Sequence, residues 1–173
     1  MTDRAGHGFV IAVYPNTNGI SFAVFEGAAS LVDWGGRGAG YKHRRDRLLE
    51  NVSALFERYQ PATLVLQNMN RRGTPRSPRI RALNAEIAAL AKSRRIPVCS
   101  YSRIEVQKAF ASLGPVTKVG IAETIAKQIP ALDRLVPPPR KPWHSEHRRM
   151  GIFDAAALAM TFVYARRGIQ KQT

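Results

Sequence analysis

Phe9 to Val13 is an unbroken apolar run rich in β-branched residues. Such a run predicts a strand. Tyr14-Pro15-Asn16-Thr17-Asn18-Gly19 is a dense turn signal, and apolar residues resume from Ile20 to Phe25, which predicts a hairpin. Leu31 to Trp34 predicts a third short strand. Gly35-Gly36-Arg37-Gly38-Ala39-Gly40 reads as a flexible linker, because it lacks the spaced glycines and Lys-Ser/Thr of a phosphate loop. The period then changes. Between Arg44 and Tyr59, the residues Leu48, Leu49, Val52, Leu55, Phe56 and Tyr59 recur at helical spacing on one face.

Pro61 breaks the chain before a strand over Thr63 to Leu66, which ends in the amides Gln67 and Asn68. Arg71 to Arg81 reads as a basic loop containing two prolines. A helix follows from about Ile80 to Ser93, with Leu83, Ile87 and Leu90 facing inward, and then a strand over Ile96 to Tyr101. Ser102 to Phe110 and Lys118 to Gln128 predict two more helices, the second capped by Thr117. Pro137-Pro138-Pro139-Arg140-Lys141-Pro142 is a stiff, extended, basic connector. A last helix runs from about Ser145 to Arg166, with Phe153, Ala157, Met160 and Tyr164 on its apolar face. No internal repeat is apparent. A meander of strands followed by strand–helix units predicts an α/β fold. Its sheet would be mixed, with antiparallel and parallel strands and helices on both faces. One domain over residues 1–173 is expected, with its core at about 9–166.

Charge changes this picture more than composition does. Lys and Arg number 27 against 12 Asp and Glu, a net charge of +15. A positive field of that size favours polyanions, with nucleic acid first and acidic membrane surface second. The bland alternative is a merely soluble basic protein. The single cysteine, Cys99, excludes an intramolecular disulfide framework and a cysteine-rich zinc site, and its setting predicts a buried strand thiol. No signal-peptide pattern is visible, and no stretch approaches the roughly 18–20 apolar residues of a membrane span. A soluble, cytoplasmic protein without a membrane partner is the expectation.

Four local motifs, in order, carry a resemblance. Val13-Tyr14-Pro15-Asn16 and Gly19-Ile20-Ser21-Phe22-Ala23-Val24 form a strand end, a turn and a second strand. Gln67 ends the fourth strand. Pro97-Val98, Val106-Gln107-Lys108 and Lys118 mark a short strand and two helices. Gly151-Ile152-Phe153-Asp154 precedes Ala155-Ala156-Ala157-Leu158-Ala159. In this layout the chain resembles the RuvC-like, or Holliday junction resolvase, branch of the ribonuclease-H-like superfamily, over about Phe9 to Arg166. The resemblance implies a ribonuclease-H-like fold, Mg²⁺ or Mn²⁺ as cofactor, DNA junctions as partner and a homodimer as assembly.

The resemblance also locates the catalytic positions, and there this chain departs. The family's first strand ends in an acid where Tyr14 stands, and its fourth in a Glu where Gln67 stands. Its last helix carries two acids one turn apart, where Gly151 and Asp154 stand. Glu146 and His147 lie on the approach to that helix. If the helix begins early enough, His147, Gly151 and Asp154 share one stripe. Two divalent ions roughly 4 Å apart require several carboxylates for neutralisation, and Mg²⁺ prefers anionic oxygen. The expected centre is therefore degenerate. Asp154 and Glu146 are the tentative metal ligands, with His147 a weaker one, while Tyr14 and Gln67 occupy lost positions.

Each of these residues also has a structural role open to it. Gln67 and Asn68 serve equally as polar caps of a strand-end turn. Tyr14 is a base-stacking platform or a turn aromatic filling the vacated site. Asp154 or Glu146 is a first-turn acid favoured by the helix dipole, depending on where the helix starts. His147 is a ligand or a solvated helix histidine. For phosphate contacts the candidates are Arg71, Arg72, Arg76, Arg79 and Arg81, extended by Lys108, Lys118, Arg140, Lys141, Arg148 and Arg149. Trp143 either stacks on a base or packs the connector onto the body.

Three function classes remain. The first is a nucleic-acid-binding protein for branched or bent DNA, with a weak or inactive metal site. The second is an active Mg²⁺- or Mn²⁺-dependent endonuclease using Asp154 and Glu146. The third is a non-catalytic protein-interaction scaffold.

Overall fold

A computed structural model describes residues 8–27, 30–40, 42–70 and 76–170. Strands β1 (Phe9–Asn16), β2 (Gly19–Glu26), β3 (Ser30–Arg37), β4 (Thr63–Gln67) and β5 (Val98–Tyr101) form one sheet in the order β3-β2-β1-β4-β5. The pairs β1–β2 and β2–β3 are antiparallel; β1–β4 and β4–β5 are parallel. Helices α1 (Arg44–Tyr59) and α2 (Pro78–Ser93) cover one face. Helices α3 (Arg103–Phe110), α4 (Lys118–Gln128) and α5 (Met150–Gln170) cover the other. The expected mixed α/β sheet, helix-covered on both faces, is what forms.

Period-2 alternation explains how one strand serves two cores. Ile11 and Val13 of β1 point into the α1/α2 layer with Phe22, Val24, Leu64 and Leu66. Val10, Ala12 and Tyr14 point into the α5 layer with Ala23, Phe25 and Val65. The sheet therefore has no wet face at β1, which is why that strand is apolar throughout.

Several boundaries differ from the sequence pattern. Gly35-Gly36-Arg37 is strand, not linker, because pairing of Phe22 with Gly35 and Ile20 with Arg37 carries β3 to its end. The helix expected from Ile80 starts at Pro78, with Ser77 Oγ accepting from the Ile80 amide at 3.3 Å. Arg79 and Arg81 thus sit in a helical first turn, not in a loop. The last helix begins at Met150, not Ser145, so Glu146 and His147 precede it and the helical stripe with Gly151 does not form. Nor does α5 have a single apolar face: Met150, Phe153, Ala155 to Met160, Phe162 and Val163 are buried almost all round. A 3-10 turn over Pro130–Leu135 had no sequence signal. Cys99 lies on β5 but is only half-buried. No described helix is long and apolar enough to cross a membrane.

Candidate functional site

Register brings the candidate residues into line. β1 and β4 pair Val10 with Thr63 and Ala12 with Val65. Carried two residues further, the same offset sets Tyr14 level with Gln67. Gln67 pairs with Tyr101, Tyr14 with Ser21, and Ser21 with Gly36. One row therefore crosses all five strands on the α5 face, at the carboxyl ends of the parallel strands, where open α/β sheets place their ligands.

Tyr14 is 4% exposed, and it lies in β1, not in a turn. It is neither a turn aromatic nor a free stacking platform. Cations flank its ring: Arg76 Cζ is 4.9 Å and Lys118 Nζ 5.8 Å from the centroid. Both distances suit cation–π attraction. Gln67 is buried, and its Oε1 lies 3.5 Å from Arg76 Nη2. Asn68 has the turn role: its Oδ1 accepts from the Asn70 amide at 3.1 Å.

Lys118 holds the centre together. As the first residue of α4, it follows the Thr117 cap, whose hydroxyl accepts from the Gly120 amide at 3.0 Å. A cation at that end opposes the helix dipole. Two carboxylates offset the cost. Lys118 Nζ donates to Glu146 Oε1 and Oε2 at 2.8 and 3.0 Å, and to Asp154 Oδ2 at 3.4 Å. Asp154 lies past the first turn of α5 and is not a dipole acid. Burial pushes its pKa from 3.8 up to about 6. Lys118 and, more weakly, Arg76 pull it down, while Glu146 pushes it up. Tyr14, Gln67, Asp154, Lys118, Arg103 and Gln107 line a cleft of about 50 Å³, room for a water or two.

These donors do not fit a two-metal centre. An ammonium already lies within hydrogen-bond reach of both carboxylates. The nearest strand-end groups are a phenol and an amide, and Arg76 adds further positive charge. His147 Nδ1 accepts from the Arg149 amide at 3.2 Å, a local turn contact. Among the described residues, no group of three or more His, Cys, Asp or Glu side chains comes together as a metal site. Gly151 is closed for another reason. A Cβ there would fall inside contact distance of Ser21 Oγ and 2.8 Å from Asn16 Nδ2. Those side chains, hydrogen-bonded to each other at 3.2 Å, fill the space an acid would need.

Two further clefts meet at the β1–β2 turn, sharing Asn16 and Thr17. One, of about 290 Å³, is lined by Arg76, Glu146, His147 and Arg148. The other, of about 700 Å³, lies between the starts of α1 and α2 and is lined by His43, Arg44, Arg45 and Arg79. Arg44 Nη2 donates to the Thr17 carbonyl at 2.6 Å, and Arg45 pairs with Glu86. Arg79, in the first turn of α2, adds its charge to the positive end of the helix. Arg81 is exposed on α2, Lys108 on α3, and Arg140 and Lys141 on the connector. Arg71 and Arg72 lie outside the described residues.

Sequence reasoning missed Ser21, Asn16, Arg103, Arg44 and Arg45. The turn Asn16-Thr17-Asn18-Gly19 was the available signal for Asn16. Ser21 comes level with Tyr14 through the β1–β2 register, and nothing local marks the arginines, because α1 and α3 reach the site only by packing.

No protein-family model matches the chain, and no curated protein sequence matches it. Solved structures do. Thermus thermophilus RuvC in complex with Holliday junction substrate superposes with a TM-score of 0.64 at 18% identity, covering 94% of this chain and 97% of that one. A second Thermus thermophilus RuvC structure gives 0.64 at 17%, covering 92% and 96%. The yeast mitochondrial Holliday junction resolvase Ydc2 gives 0.63 at 14%, covering 94% and 82%. The chain has the RuvC-like form of the ribonuclease-H-like fold.

Proposed function

We propose that this protein binds nucleic acid, with branched or bent DNA as its target, and that its strand-end centre is degenerate, with an ammonium in place of metal. The observation that carries the proposal is Lys118, whose Nζ lies 2.8 Å from Glu146 and 3.4 Å from Asp154. One lysine bridges the pair of acids that would otherwise be available to a divalent ion and offsets one of their two charges. The same centre then presents net positive charge through Lys118, Arg76 and Arg103. Support for a polyanion comes from the +15 charge and from the two basic clefts that adjoin at the β1–β2 turn. Phosphates would relieve the mutual repulsion of these arginines and release counterions. The fold is shared with resolvases, one of them in complex with Holliday junction substrate. The homodimer that the resemblance implies is part of the proposal.

Gel shifts on a four-way junction, a duplex and a single strand test it. If Arg44, Arg76, Arg79 and Arg148 each meet a phosphate, log K against log salt falls with a slope on the order of −4. Absence of binding to all three at moderate salt would sink it.

One observation favours the endonuclease as a second reading: Glu146 and Asp154 converge on a single cation. Junction cleavage in Mn²⁺ that vanishes in Asp154→Asn would establish that reading, and clean preparations without cleavage would remove it. Nothing in the described residues favours the scaffold; competition of a protein partner by polyanions would argue against it.

A further inference from the structure

Between the 3-10 turn and α5 the chain forms a strap whose residues 138–149 are all exposed. An indole carries a large apolar area and usually goes to a core or an interface. Trp143 nevertheless stands 74% exposed in mid-strap, so it does not pack the connector onto the body. The strap is tied down on both sides of the ring. His144 N donates to the Lys141 carbonyl at 3.0 Å, and the Arg140 guanidinium donates to the His144 carbonyl. Downstream, Glu146 is pinned by Lys118. A held turn thus presents the indole three residues from the strand-end centre.

Its surroundings match one class of ligand. Lys141 Nζ lies 5.3 Å from the indole centroid, and Arg140, Arg148 and Arg149 complete a basic strap whose acid, Glu146, is already paired. An aromatic face edged by cations fits a nucleotide, which offers a π-face and a phosphate a few ångströms apart. The strap's other exposed apolar residues are prolines, Pro138, Pro139 and Pro142, so it offers an apolar protein partner little besides the ring. We propose that Trp143 is a stacking site for an unpaired nucleobase, with Lys141 and Arg140 held for the flanking phosphate. The proposal deepens the nucleic-acid function above and rests on it. Bases inside a duplex are already stacked on both faces, so this site selects single strands and the open bases of a branch point.

The test is binding of the full chain to an oligo(dT) strand, a four-way junction and a blunt duplex, with indole emission recorded alongside. Trp143→Ala should weaken single-strand binding roughly ten- to hundredfold and duplex binding by no more than about twofold. Trp143→Phe should retain most of the affinity. Single strand should quench wild-type emission but not that of Trp143→Phe, whose remaining indole, Trp34, packs against the core. Equal losses on all three ligands, or none on the single strand, would overturn the stacking site. So would an emission change driven by protein concentration alone, which would identify a second copy as the occupant. If the wild type binds none of the three, it is the nucleic-acid function itself that fails.

Discussion

Replacing Asp154 by Asn should stabilise the protein at neutral and alkaline pH. The Asp154 side chain is 16% exposed, and its pKa lies at about 6 against an ordinary 3.8. Burial is the largest cause, and the attraction of Lys118 only partly offsets it. Between those two values the folded protein holds a proton that the unfolded chain has lost. Stability therefore falls as pH rises through this window, and above about pH 6 the full cost is present. A shift of about two units corresponds to about 3 kcal/mol. Asparagine keeps the shape, still accepts from Lys118 and never ionises. Asp154→Asn should then exceed the wild type by up to about 3 kcal/mol at pH 8 and match it near pH 4. In a chain of this size that is roughly 6–12 °C in Tm. Urea denaturation and thermal melting at both pH values measure it. A destabilised Asp154→Asn at pH 8, or the same offset at both pH values, would refute the reasoning, because either would make the charge a structural asset.

Lys118→Met removes the charge and the hydrogen bond that hold Asp154 down, so the Asp154 pKa should rise further above 6; carboxyl NMR titration reads it, and an unchanged or lower value contradicts the ion-pair geometry. Gly151→Ala should cost about 1–3 kcal/mol by overpacking against Ser21 and Asn16, and adding Ser21→Ala should recover part of that in denaturant titration. If Gly151→Ala is neutral, the close approach of α5 to β2 is wrong. Gln67→Glu alone should give no robust Mg²⁺-dependent junction cleavage, because Tyr14 and the closed space at Gly151 still leave the centre short of acids. Efficient cleavage by that single variant would show that one lost acid, not a remodelled site, separates this centre from an active one.

Much of the fold was legible because periodicity is local. The β1–β2 hairpin, α1 and α4 lie where their apolar spacing put them. The errors have specific causes. Gly35 and Gly36 carry little strand signal, but the β2 backbone beside them supplies the pairing. Ser145 and Glu146 look like a helix start, yet the helix begins at Met150 and Glu146 pairs with Lys118 ahead of it. The prolines before Ile80 read as loop, although Pro78 is at the N1 position that helices favour. Trp143 and Tyr14 changed most: Tyr14, expected as a partly buried aromatic of a turn or as a stacking platform, is a fully buried strand residue, and Trp143, open to base stacking or to packing on the body, stands free.

The sequence by itself determined the order of elements, the net positive charge, and the uncharged character of Tyr14, Gln67 and Gly151. Those are matters of residue type and spacing, settled along the chain. Only the tertiary structure decided that Lys118 joins Glu146 and Asp154, residues 28 and 36 positions away. It alone decided that Ser21 and Asn16 fill the space beside Gly151, and that Trp143 reaches solvent. Ion pairing and burial depend on distances between segments brought together by packing, and no local pattern encodes those distances.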